Sequence, residues 1–181
     1  MKKLTRIIIG ISVVGILWLN SFYFLPKESL LYLKSDMNDF KKSIMPISII
    51  LSIAITFLII FDLTEYKGKK WSKIIYILYI GIMSFIFYPM ISDTILTLGL
   101  KTNRLSSNES ITKNFIITVK DNFSDLNNTV WGRIPNKTYD GEIDKLKLSQ
   151  TEYDLVNEKQ EIELKMEKGI FGIPFNPIMK K

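Results

Sequence analysis

Three uncharged apolar runs fall within the first hundred residues, and no other feature of the chain restricts its fold as much. Residues 7–25 form one run, broken only by mild polar groups such as Ser12 and Asn20. Residues 44–61 and 74–91 form two more. At about 1.5 Å per residue each covers roughly 27–28 Å, close to the ~30 Å hydrocarbon core of a bilayer. Insertion of the second run, rich in Ile, Leu and Phe, is favoured by about 5 kcal/mol before Pro46 and the hydroxyls are counted against it. A small soluble domain has too little polar surface to cover three such runs. The sequence therefore predicts a membrane part over residues 1–100.

The first run also resembles a secretory signal, because Lys2, Lys3 and Arg6 precede it. Residues 18–22, which include Trp18 and Phe22, are bulky where a signal peptidase requires small side chains. An uncleaved anchor is the expectation, and either outcome leaves the remaining chain in the same orientation.

Charge placement sets that orientation. The formal net charge is +6. Up to Leu100 there are 11 Lys/Arg against 6 Asp/Glu, and from Lys101 onward 13 against 12, so the excess belongs to the apolar half. Lys2, Lys3 and Arg6 at one end join Lys67, Lys69, Lys70 and Lys73 between the second and third runs. The lysines of residues 26–43 are interleaved with Glu28, Asp36 and Asp39. By the positive-inside rule the N-terminus is cytoplasmic and the C-terminal part lies outside. A nucleic-acid reader would instead carry its cations on the folded domain, so no nucleic-acid partner is expected.

Within residues 26–43, Leu30, Leu33, Met37 and Phe40 recur at helical spacing, which predicts a short amphipathic helix. Three placements fit it: on the outer membrane surface, under the C-terminal domain, or in a partner-binding groove. Asp93 follows the third run. It is either an intramembrane proton or cation site or a headgroup-level residue beyond a span that ends near Ile91. Asn20 is expected to hydrogen-bond between helices rather than hold a ligand.

Beyond Lys101 the periodicity changes. Residues 101–112 read as a polar linker and 113–181 as a small β-rich domain. Phe115, Ile117 and Val119 alternate, as do Ile162, Leu164 and Met166, and residues 129–134 read as a short strand. Residues 142–148 alternate poorly. Ser149 with Glu152 matches a capping box ahead of a helical turn. The acids Asp140, Glu142 and Asp144 resemble the start of a calcium loop but lack its later ligands, and Gly169 with Gly172 lacks the spacing of a phosphate loop.

The expected fold is thus membrane α-helical, with three transmembrane helices and a small extracytoplasmic mostly-β (α+β) C-terminal domain. The chain has no cysteine and no histidine, which removes disulfides, thiolate nucleophiles, Cys/His zinc sites and His bases. No cofactor is expected, and no enzyme. The composition suggests a bacterial inner-membrane protein whose partners are the lipid bilayer and another protein in the membrane or periplasm. An accessory subunit of an envelope complex fits, as does an immunity protein against an incoming toxin. The alternative is an oligomeric small transporter or channel subunit with Asp93 in its pathway. Trp131, Ile170, Phe171 and Phe175 are the expected partner contacts, with Asp93 and Asn20 the candidate intramembrane polar site.

Overall fold

A computed structural model describes residues 2–61, 70–121, 128–135 and 143–180. Residues 62–69, with Lys67 and Lys69, and residues 136–142, with Asp140 and Glu142, lie outside the described residues. Helix α1 (Lys2–Leu19) continues through a π-helical turn (Asn20–Phe24) into α2 (Leu25–Ser29). Helices α3 (Lys34–Phe61) and α4 (Lys70–Asn103) follow. Next come β1 (Ser107–Asp121), β2 (Thr129–Arg133), β3 (Asp144–Lys147), α5 (Gln150–Leu155), β4 (Glu161–Gly169) and β5 (Pro174–Met179). The strands form one curled antiparallel sheet in the order β3-β2-β1-β4-β5.

Among the described residues three helices are long and apolar enough to cross a membrane, over Ile8–Ser29, Lys34–Leu58 and Lys73–Asn103. All three outrun the sequence estimate, since flanking polar residues keep helical backbone bonds where the apolar signal has stopped. The π turn directly precedes Pro26. A proline inside a helix lacks its N–H and its ring crowds the carbonyl four residues back, and a widened turn at that point relieves the crowding. The amide of Leu25 bonds to the Asn20 carbonyl across this turn.

The chain divides into two compact units interleaved in sequence. One comprises Met1–Lys27 and Lys41–Gly99, the other Glu28–Phe40 and Leu100–Lys181. In the helical unit, Ser48, Ser52 and Thr56 recur every fourth residue on α3 and all are buried. Ser52 Oγ donates to the carbonyl of Ser84 on α4 at 2.6 Å. Small hydroxyl residues at this spacing let two helix backbones approach closely, the usual means of association where no hydrophobic drive exists.

The sheet unit has one core. Phe115, Ile117, Val130, Leu146, Leu148, Tyr153, Val156, Ile162, Leu164 and Met166 enclose Leu33, which comes from the turn ahead of α3. The expected alternation of Ile162, Leu164 and Met166 is observed, all three buried. Val119, expected to join Phe115 and Ile117, is 45% exposed. The β1–β2 register shifts between Ile117 and Val119, and one extra residue sends the following side chains to the opposite face. Gly132 faces β1 so closely that a Cβ there would collide with the Ile116 carbonyl and the Phe115 ring. The capping box forms as expected, with Ser149 accepting from the Glu152 amide and Glu152 accepting from the Ser149 amide.

Two boundaries differ from the sequence reading. Residues 101–112 are no linker: Lys101–Asn103 end α4, and most of the remainder begins β1, paired with β4. Ile111 is the one apolar side chain between Leu105 and Phe115, so backbone pairing holds this stretch where no alternation marks it. Nor is there a separate amphipathic helix over residues 26–43. Residues 25–29 complete the first helix, residues 30–33 turn, and α3 begins at Lys34 and runs on without a break.

Candidate functional site

The turn after α2 and the start of α3 are built into the sheet unit by paired charges. Glu28 is buried and accepts two bonds from Arg104, Nε at 2.7 Å and Nη2 at 3.0 Å. Asp36, also buried, accepts from the Lys113 ammonium at 2.8 and 2.9 Å. Helix α3 has no polar side chain at Leu33 to receive its first amides. Asp144 Oδ1, from β3, accepts the Ser35 N–H at 2.7 Å instead, and its charge favours that positive helix end. This explains the weak alternation of residues 142–148: Asp144 shares the inward phase of Leu146 and Leu148, and is itself buried. An acid in phase with two core leucines was the signal available in the sequence.

Asn103, the fully buried last residue of α4, organises the β4–β5 turn. Its carbonyl accepts from the Ile170 amide at 3.1 Å, and Oδ1 accepts from the Phe171 amide at 2.9 Å. Its Nδ2 donates to the Ile173 carbonyl at 2.8 Å and to the Tyr32 hydroxyl oxygen at 3.4 Å. Tyr32 in turn donates to the Leu100 carbonyl at 2.7 Å. Burial raises the Tyr32 phenol above its ordinary 10.0. The Asn103 bond opposes the rise, the Glu28 charge adds to it, and Arg104 opposes it.

The four expected contact residues do not form one patch. Trp131 sits on the face of β2 opposite Val130, in register with Val119 on one side and Lys145 on the other. The Lys145 ammonium lies 5.7 Å from its ring centroid. Ile170 and Phe171 are 47% and 51% exposed at the β4–β5 turn. Ser107 pairs with Gly169 and Val119 with Trp131, so the two sites are twelve residues apart along β1, about 40 Å of extended strand. Phe175 belongs to neither. It is 7% exposed, packed 6.1 Å from the Tyr32 ring. The extended tail that suggested exposure is strand β5, and Phe175 takes its inward phase.

In the helical unit Asn20 and Asp93 each bond to another helix, through different partners. Asn20 Nδ2 donates to Thr97 Oγ1 at 3.1 Å, and Thr97 donates to the Asp93 carbonyl at 2.8 Å. The Asp93 carboxylate pairs with Lys41 at 2.9 Å. Asp93 does not follow a helix end near Ile91, because α4 continues to Asn103. Lys41 on α3 as its partner was not anticipated. We found no family model, curated protein or solved structure that matches the chain. The arrangement of its own side chains must carry the functional reading.

Proposed function

We propose that the protein is a non-enzymatic, multi-pass protein of the bacterial inner membrane whose sheet unit lies outside the cytoplasm and binds another protein. The segment 28–40 and the sheet form one compact unit, which fits a topology with the connection between the first two spans and the C-terminal strands on one side of the bilayer. Three crossings would need that arrangement, which supports the reading, and the positive-inside rule favours the outer side.

The row Val119–Trp131–Lys145 carries the binding reading. It places an exposed valine, a half-buried tryptophan and a lysine in register across three strands, on the face away from the core. Tryptophan is enriched among the anchors of protein interfaces. Such a face would serve either an accessory subunit of an envelope complex or a toxin-immunity protein. A stoichiometric partner should co-purify from detergent extracts, be lost on Trp131→Ala and be kept on Leu155→Ala. Recovery of this chain alone from both wild type and variant would sink the idea. Reporters fused after Tyr66 and after Lys181 test orientation, and cytoplasmic activity at the second would reverse it.

The Lys41–Asp93 pair, one helical turn from the Asn20–Thr97 bond, supports a second reading, an oligomeric transporter or channel subunit. Its test is ion flux in liposomes, which Asp93→Asn would abolish. Lys41 already neutralises the carboxylate, so the binding reading is preferred.

A further inference from the structure

We propose that the β4–β5 turn dips into the headgroup boundary of the bilayer, with Ile170 and Phe171 as its lipid anchors. The proposal rests on the membrane reading above and assigns these two residues to lipid instead of a protein partner.

Position is the first argument. The Phe171 ring stacks on Phe40 at 6.0 Å between centroids, with planes 16° apart. Phe40 lies on α3 one turn ahead of Ile44, where the uncharged run begins. The Ile170 amide bonds the last residue of α4. Leu105, 79% exposed, follows that helix end by two residues, and Leu30, 71% exposed, follows the end of α2 by one. Leu30 and Leu105 thus adjoin in sequence the ends of helices apolar enough to cross a membrane, and Ile170 and Phe171 contact Asn103 and Phe40 of those same helices.

Backbone satisfaction is the second. Each backbone polar group left without a partner costs several kcal/mol in an apolar medium, so a loop whose N–H groups are bonded internally approaches it at lower cost. At this turn the Gly169 amide bonds to the Ile173 carbonyl, Ile170 to the Asn103 carbonyl, Phe171 to Asn103 Oδ1 and Gly172 to the Gly169 carbonyl. Four consecutive amides are therefore independent of water. Gly172, with φ +73°, allows the chain to reverse within so few residues.

Charge is the third. From Lys168 onward the sequence contains no Asp or Glu, so no carboxylate of this segment has to be desolvated or brought against anionic headgroups. An aromatic and a branched aliphatic side chain on a bonded loop suit the boundary region.

The full chain contains no cysteine, so single nitroxide labels report unambiguously in liposomes of phosphatidylcholine and phosphatidylglycerol. Ile170→Cys is the test site, with Phe171→Cys as a second variant. Leu155→Cys on α5 is the aqueous reference, and Ile50→Cys in α3 reports the span. Relaxation by oxygen marks lipid, and relaxation by a water-soluble nickel chelate marks water. The expected result is nickel access at residues 170 and 171 well below that of residue 155, with oxygen access between those of residues 155 and 50, while residue 155 keeps full nickel access. Nickel access at 170 and 171 equal to that of residue 155, with residue 50 in lipid, would overturn the proposal and leave the membrane reading standing. Nickel access at residue 50 would overturn both. Labels at 170 and 171 shielded from both reagents would mean protein cover, and would also overturn it.

Discussion

Asn103→Leu should unlock the β4–β5 turn while keeping the branching and heavy-atom count of the side chain. The substitution removes Oδ1 from the Phe171 amide at 2.9 Å and Nδ2 from the Ile173 carbonyl at 2.8 Å. Each buried polar group left without a partner costs about 1–3 kcal/mol. The Phe171 bond is only partly buried, so water recovers some of its loss. A total of about 3 kcal/mol follows, equivalent to on the order of a hundred-fold rise in the open population of the turn. Hydrogen exchange read by mass spectrometry on a peptide spanning 168–176 measures that population directly. Asn103→Asp is the informative companion. It keeps an acceptor for Phe171 but sets an oxygen against the Ile173 carbonyl, so the Phe171 amide should stay better protected than in the leucine variant. Exchange within about threefold of wild type in Asn103→Leu would refute the reasoning, because local opening tracks the lost bonds.

Four further outcomes are expected. Gly169→Ala should destabilise the sheet unit by about 1–3 kcal/mol, since its Cβ would collide with Asn103, as chemical denaturation in detergent would register. Arg104→Met should cost about 3 kcal/mol by leaving the buried Glu28 carboxylate unpaired, and adding Glu28→Gln should recover most of it; no recovery in the double variant would refute the pairing. Leu33→Ala should cost about 2–5 kcal/mol and loosen the sheet rather than the helices, seen as faster exchange in β1 and β4 peptides. Tyr32 has a raised folded pKa, so above about pH 10 the unfolded chain loses its proton first. Its contribution is therefore complete below pH 10 and falls as pH rises through the folded value. Tyr32→Phe should flatten that decline in a pH-dependent unfolding series.

Much of this was legible in the residues, for reasons that differ by element. The three long helices announced themselves because uncharged apolar runs of this length have few alternatives. β4 was clear because its alternation is unbroken from Ile162 to Met166. The capping box was readable because its two partners are three residues apart. The failures share another cause, dependence on a distant partner. Val119 keeps perfect alternation in sequence, and only the bulge against β2 turns it outward. The first half of β1 has almost no apolar residues, so its pairing with β4 left no trace in composition. Of the candidate site, Asn20 was read correctly as an interhelical donor. Lys41, Asn103 and Asp144 were missed because their roles are fixed by groups far along the chain.

The enclosure of Leu33 by strands from the other end of the chain bears on how this molecule is made. Asp36 meets Lys113 across 77 positions and Ser35 meets Asp144 across 109, so the first-synthesised part of this unit must wait for the last. A fragment starting at residue 100 would have a leucine-sized hole at its centre and two cations, Arg104 and Lys113, stripped of their acids. The whole intervening helical pair must therefore be synthesised before the sheet can close over Leu33.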